Sequence, residues 1–291
     1  MKELRAWSAK RPRFGARRVH ALLVRAGWRV NRKRIERLWR QEGLQVPRKR
    51  RKRRRGGGES GARRRATRTN EVWSYDFLFD RLADGRQLKV LTLVDEHSRE
   101  GLGARGRRSI TAKEVIELLE EQIRERGAPD FVRSDNGPEF IARAVKAYLE
   151  ARGVKTIFIE PGSPWENPFI ESFNGRVRDE LLAGEEFLSY AEADYMLGEW
   201  LEDYNEERPH SSLGYLTPRE FAEGREGTLL TTATTRPPMG GAPGGSPRTI
   251  SVLSHSRWTH FWGVATPFRA AGGAPRIPCR HGSSARVEGE R

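Results

Sequence analysis

Apolar residues in the first fifty positions recur at helical spacing. In GARRVHALLVRAG (15–27), Val19, Leu22, Leu23 and Ala26 fall three or four apart, which predicts a helix with one buried face. Trp28-Arg29-Val30 makes a short turn. Asn31 then suits the N-cap of a second helix, with Ile35, Leu38 and Trp39 on its apolar face and Gly43 as its stop. Two short helices with a tight connection suggest a helix-turn-helix. From residue 71 the period changes to two. VWSYDFLF (72–79) and LKVLTLVD (88–95) read as strands around the turn Ala83-Asp84-Gly85-Arg86, with a weaker third strand near 100–105. A helix over 111–126 should bury Val115, Ile116, Leu119 and Ile123. FVRSD (131–135) is a short strand ending at an acid, 138–152 is helical, and VKTIFI (154–159) is another strand. Helices follow at about 165–182 and 190–206. This order indicates a mixed α/β layer.

Charge divides the chain in the same places. The net is +15 overall, but residues 1–68 hold 26 Lys/Arg against 4 Asp/Glu, whereas 69–224 hold 19 against 32. The basic front favours a polyanion, because each neutralised phosphate releases condensed counterions. Arg32, Lys33, Arg34, Arg37 and Arg40 decorate the second helix and are candidate DNA contacts. The run RKRRKRRR (48–55), with Arg50 and Arg53 in its midst, precedes three glycines and reads as a flexible linker that touches phosphates. The domains expected are a helix-turn-helix at 1–47, this polybasic linker at 48–69, a catalytic core at 70–224, and a Gly/Pro-rich tail at 225–291 that is disordered or extended. The single cysteine, Cys279, excludes an intramolecular disulfide and fits a reducing compartment. The sequence offers neither a membrane-spanning apolar run nor a signal region.

Three acids stand in contexts that solvation does not explain. Asp76 lies inside an aromatic strand, where burial is costly unless the carboxylate is paired or metal-bound. Asp135 ends a strand and precedes the turn dipeptide Asn136-Gly137. Glu171 borders a helical stripe of Ile170, Phe173, Val177 and Leu181, and shares its own face with Asn167, Asn174 and Arg178. Two strand-borne carboxylates and a helical one are what a two-metal phosphoryl-transfer site requires, with hard oxygen ligands holding a pair of Mg²⁺ ions. Mn²⁺ is expected to substitute. The alternative for each acid alone is a helix cap, a surface residue or an arginine partner. Asp80 and Asp95 are expected to be decoy carboxylates outside the site, and His210 is expected to pack or cap.

The blocks WSYDFLFDRLADGR, RSDNGPEF, PGSPWENPFIESFNGRVRDELL and NEERPHSSLGYLTPREF resemble the integrase core of bacterial insertion-sequence transposases, most closely the IS-three family. The segment GARRVHALLVRAGWRVNRKRIERLWRQEGLQV resembles the helix-turn-helix ahead of that core. The resemblance implies a ribonuclease-H-like fold: a mixed sheet flanked by helices, preceded by a small helix-turn-helix domain. It implies Asp76, Asp135 and Glu171 as catalytic metal ligands, Arg178 toward DNA, and Asn136 and Gly137 in support; from the helix face they share with Glu171, Asn174 is a further candidate DNA contact and Asn167 a further supporting residue. The function implied is metal-dependent strand cleavage and strand transfer at element ends by a bacterial, cytoplasmic, nucleoid-associated enzyme. Its partners would be double-stranded DNA, further copies of itself in a synaptic complex, and a helix-turn-helix/zipper protein from an upstream frame. That upstream module and the tail are where the chain departs from the family pattern, so a decayed copy acting only as a DNA-binding repressor is one alternative. An RNA-directed nuclease of similar fold is another, disfavoured because A-form grooves suit a reading helix poorly.

Overall fold

The computed structural model describes residues 1–46, 65–135, 139–159 and 167–224, with the side chains of 139–142 left aside. The expectations for Arg50, Arg53, Asn136, Gly137, most of the linker and the tail fall outside these residues.

The N-terminal module has three helices, α1 (Lys2–Lys10), α2 (Ala16–Arg25) and α3 (Arg32–Gln41). Val19, Leu22 and Leu23 pack against Ile35 and Trp39, and Leu4 and Phe14 close the cluster. Asn31 caps α3 as its residue type suggests, its side-chain oxygen accepting from the Lys33 amide at 2.8 Å. Two details differ from the sequence pattern. Helix α2 stops at Arg25, so Ala26 is exposed at its end. Helix α1 was not expected, because it buries only Leu4 and so shows no apolar stripe. Arg32, Lys33, Arg34, Arg37 and Arg40 all lie exposed on α3.

The core holds a five-stranded sheet in the order β3-β2-β1-β4-β5. Strands β1 (Val72–Arg81), β2 (Gln87–Asp95) and β3 (Gly101–Arg107) form an antiparallel meander. Strands β4 (Phe131–Ser134) and β5 (Lys155–Phe158) continue it in parallel with β1, each reached through a helix: α4 (Ala112–Arg126) before β4, and α5 (Glu139–Glu150) before β5. Helix α4 begins at a capping box in which the Thr111 amide donates to the Glu114 carboxylate at 2.7 Å. Val115, Leu118 and Leu119 of α4 meet Trp73, Tyr75, Leu91, Leu93 and Val132 of the sheet. The opposite face is covered by α6 (Pro168–Val177) and α7 (Tyr190–Glu206). There the Phe173 ring meets Tyr204 edge-on at 4.9 Å and Trp200 at 5.5 Å. A short helix, α8 (Pro218–Ala222), ends the described chain. This is the ribonuclease-H-like arrangement expected, a mixed sheet between helical layers. Among the described residues no helix is long and apolar enough to cross a membrane.

The long helix expected at 165–182 is two elements. Helix α6 ends at Val177 and continues as a π-helical turn over Arg178–Leu182. The stripe of Ile170, Phe173, Val177 and Leu181 is nonetheless buried throughout. Strand β3 gave a weak pattern because close packing takes the place of side chains there. A Cβ at Gly101 would stand 2.4 Å from Leu201 Cδ1 and 2.8 Å from the Phe173 ring, and one at Gly103 would stand 2.5 Å from Leu118 Cδ1. Gly101→Ala should therefore overpack the sheet–helix contact and lower unfolding free energy by about 1–3 kcal/mol in urea titrations. A variant as stable as the unmodified chain would show that Leu201 and Phe173 move aside freely.

Candidate active site

The sheet register brings the first two acids together. Val72, Trp73 and Ser74 of β1 pair with Phe131, Val132 and Arg133 of β4 in parallel. Asp76 lies two residues further along β1, and Asp135 directly follows the end of β4, near enough for its charge to act on Asp76. Asp76 sits in mid-strand opposite Thr92 of β2. Its Oδ1 accepts from the Phe77 amide at 2.8 Å, and its Oδ2 accepts from Asn174 Nδ2 on α6, also at 2.8 Å. The Asn174 Oδ1 accepts in turn from the Thr92 hydroxyl at 2.7 Å. Thr92 and Asn174 thus form a relay that fixes the Asp76 carboxylate. Glu171 lies exposed on the same helix, one turn before Asn174.

The electrostatics are those of crowded carboxylates. Burial pushes the Asp76 carboxyl up from its ordinary value and the neighbouring Asp135 pushes it further; the Phe77 amide, the Asn174 amide and the Arg178 charge pull it back. Glu171 is also raised, first by burial and then by Asp76. The three acids therefore sense one another through Asp76. Among the described residues no group of three His, Cys, Asp or Glu closes into a metal cage. The chemistry of the three acids still fits a hard divalent cation: their ligand atoms are all carboxylate oxygens, and a cation would offset the charge repulsion that adds to burial in raising Asp76 and Glu171.

Other candidates fall into clear places. Asn174, expected to contact DNA, is 5 % exposed with both ends of its amide engaged, so it holds Asp76 instead. Asn167 is equally buried, immediately ahead of Pro168 at the first turn of α6. Arg178 is exposed at the start of the π-helical turn. Asp80 bonds its neighbour's amide, that of Arg81. Asp95 is a structural cap: its carboxylate accepts from the amides of Asn70, His97 and Ser98 at 2.7–2.8 Å. His210 packs edge-on against Tyr204 at 4.9 Å, and burial, reinforced by nearby arginines, depresses its pKa to about 2.

Sequence reasoning missed two features. One is a set of buried carboxylates at the end of the sheet away from Asp76. Glu96 is bonded by Ser74 and faces Arg133 at 3.2 Å, and Glu100 pairs with Arg126 at 2.9 Å. An acid run after an apolar strand does not reveal whether its carboxylates face in or out. The other is the junction between the N-terminal helices and the core. Arg11 pairs with Asp203, Arg25 with Glu220, and the Phe14 ring lies 5.1 Å from the Arg208 guanidinium. Nothing in a local pattern signals contacts across about two hundred positions.

The fold and the gathered acids define a ribonuclease-H-like, integrase-type core. Comparison with known proteins agrees. The integrase core domain matches residues 66–164, a second integrase core domain matches 152–218, and an HTH-like domain matches 4–52. The chain is 44 % identical over 213 residues to an insertion element IS407 uncharacterized 31.7 kDa protein of Burkholderia multivorans, covering 73 % of this chain and 76 % of that one. It is likewise 44 % identical to an insertion element IS476 uncharacterized 39.2 kDa protein of Xanthomonas euvesicatoria, of whose length the match spans 60 % and of this chain's 72 %. A transposase for insertion sequence element IS904 of Lactococcus lactis is 28 % identical over 221 residues, covering 72 % of this chain and 87 % of that one. Among solved structures, the HTLV-2 integrase catalytic core domain in complex with magnesium matches at 18 % identity and a TM-score of 0.42, over 54 % of this chain and 98 % of that one. The chain belongs to the integrase-core family of insertion-sequence transposases.

The raised Asp76 has a thermodynamic consequence. Below the ordinary carboxyl range Asp76 is protonated whether the chain is folded or not. As pH rises the unfolded carboxyl ionises first, so stability falls until the folded group has ionised too. In the metal-free chain, Asp76→Asn should therefore raise the denaturation midpoint near pH 7 and lose that advantage as the pH drops below about 4. An equal effect at both pH values would mean that Asp76 carries no charge penalty.

Proposed function

We propose that the chain is a D-D-E polynucleotidyl transferase, a transposase that cleaves a phosphodiester at an insertion-sequence end and joins the freed 3′-hydroxyl to a second DNA site. What supports this reading most is the coupling of Asp76 with both other acids: the β1–β4 pairing brings Asp135 near enough to act on it, and Glu171 lies on the helix whose Asn174 holds it. These three acids would hold two Mg²⁺ ions, with Mn²⁺ as a substitute. Such ions, when bound, supply positive charge for the attacking and leaving oxygens.

The chain's own residues supply the rest. Asn174 donates to one Asp76 oxygen and so leaves the carboxylate a single orientation, which Thr92 locks from behind. Arg178, exposed one helical turn beyond Asn174, offers a cation to a DNA phosphate entering the site. Arg32, Lys33, Arg34 and Arg37 present the exposed basic face of α3 to a major groove, and the 48–55 run, with Arg50 and Arg53, adds phosphate contacts. Bringing two element ends together calls for more than one copy of the chain. The protein from an upstream frame would join the same assembly.

The test uses the full chain, duplex DNA carrying the repeats that flank its own gene, and Mg²⁺ or Mn²⁺. Asp135→Asn should lower cleavage and strand transfer by roughly 10²–10⁴-fold, as expected when several kcal/mol of transition-state charge stabilisation are lost. Unchanged cleavage removes the acid site from the reaction. DNA binding without any metal-dependent cleavage by the unmodified chain would leave a binding protein or repressor in place of the enzyme.

Asn174→Leu provides a second check. Without its amide the Asp76 carboxyl rises further, so the acid limb of the pH–rate profile should move to higher pH. Activity at neutral pH should fall roughly tenfold or more, as for loss of a hydrogen bond to a charged group. A uniform loss with no displacement of the profile would assign Asn174 to packing alone.

A further inference from the structure

Alternate residues of a strand face opposite sides of the sheet, so Asp76 points toward α6 while Tyr75, Phe77 and Phe79 share the other face. Tyr75 is buried in the core, and Phe77 is half-buried at the core's margin, edge-on to Tyr75 at 6.2 Å. Phe79 is 56 % exposed. The row therefore starts in the core, on the sheet face opposite Asp76, and climbs out of it into solvent. Lys89 of β2 lies directly opposite Phe79 in the ladder. Its ammonium sits 4.0 Å from the Phe77 ring centroid and 5.8 Å from that of Phe79. Neighbouring cations on this face are already occupied: Arg107 pairs with Asp194 at 2.8 Å and Arg105 with Glu121 at 2.5 Å. Among the described residues Lys89 has no ion pair, although its charge lies within reach of Asp135 and Glu114.

A lone exposed phenylalanine needs no explanation. One placed next to an unpaired lysine, about 10 Å along the strand from Asp76 at 3.4 Å per residue, has the two chemistries that a nucleic-acid strand requires. The ring face stacks on a base and the ammonium donates to a phosphate oxygen. Bases inside a duplex have both faces covered by neighbours. The fitting occupant is thus an unpaired base, or the last base of a duplex end, within a few nucleotides of the phosphate held at the acids. We propose that Phe79 and Lys89 form a stacking platform for an unpaired or end-terminal nucleotide of the DNA strand entering the Asp76–Asp135 site. This inference rests on the transposase reading above but concerns binding, which can be measured without catalysis.

The experiment uses the full chain carrying Asp135→Asn and element-end duplexes with 2-aminopurine placed near the cleavage position, either paired or unpaired. Stacking should quench the unpaired probe, and Phe79→Ala should abolish that quench. The same substitution should weaken binding of the unpaired-flank DNA by roughly 5- to 150-fold while leaving a fully paired internal duplex unaffected. Lys89→Ala should lower the slope of log affinity against log salt by about one, with Lys89→Arg restoring it. Circular dichroism checks folding; Phe79 is exposed, so its truncation leaves the core intact. A quench that survives Phe79→Ala, or equal losses for paired and unpaired DNA, overturns the platform. Cleavage by the chain with Asp135 intact reports separately on the transposase reading. A Phe79-dependent quench without such cleavage would support the platform and sink the enzyme.

Discussion

Two carboxylates on adjacent parallel strands repel each other, and the surrounding structure is arranged around that repulsion. The β1–β4 register brings Asp135 near enough to act on Asp76, and burial of Asp76 makes the conflict sharper. What offsets it comes from several parts of the chain: the strand's own amide at Phe77, the Asn174 side chain from α6, and the more distant Arg178 charge. Thr92 in the middle of an apolar strand exists to orient Asn174, which explains a polar residue at 0 % exposure opposite Asp76. A fold relying on hydrophobic burial alone would have no reason to keep this group of polar side chains beside its sheet.

A second concentration of like charge lies where the N-terminal helices meet the core. Phe14 is faced by three guanidiniums, those of Arg11, Arg18 and Arg208, at 5.1–5.6 Å. Burial, together with Arg208, lowers Arg18 to about 10. The arrangement persists because each cation has something to hold it. Arg11 has Asp203, Arg208 has Glu180, and the aromatic face of Phe14 accepts what the carboxylates do not. Arg208, at 1 % exposure, is buried with its partner rather than left to solvent.

Much of this was legible in the sequence, and the failures have physical reasons. The stripe of Ile170, Phe173, Val177 and Leu181 survives a change from α to π geometry because a π turn adds one residue without turning the buried side away. Strand alternation placed Asp76 correctly among aromatics. It could not separate Asp76 from Asp95, since both follow apolar runs; only the turn amides that Asp95 binds make the distinction. Strand β3 was faint because glycine, chosen for close approach by Leu201 and Leu118, carries no apolar signal. The burial of Asn174 was illegible for a related reason. Helical spacing tells which residues share a face but not how deep that face lies, and an amide one turn from an exposed glutamate turned out to be enclosed.

The bridges from Arg11 to Asp203 and from Arg25 to Glu220 have a geometric consequence. They span two sides of one small module, so they restrain its rotation as well as its distance from the sheet. With α3 held this way, the basic helix and the three acids become two fixed marks on a caliper.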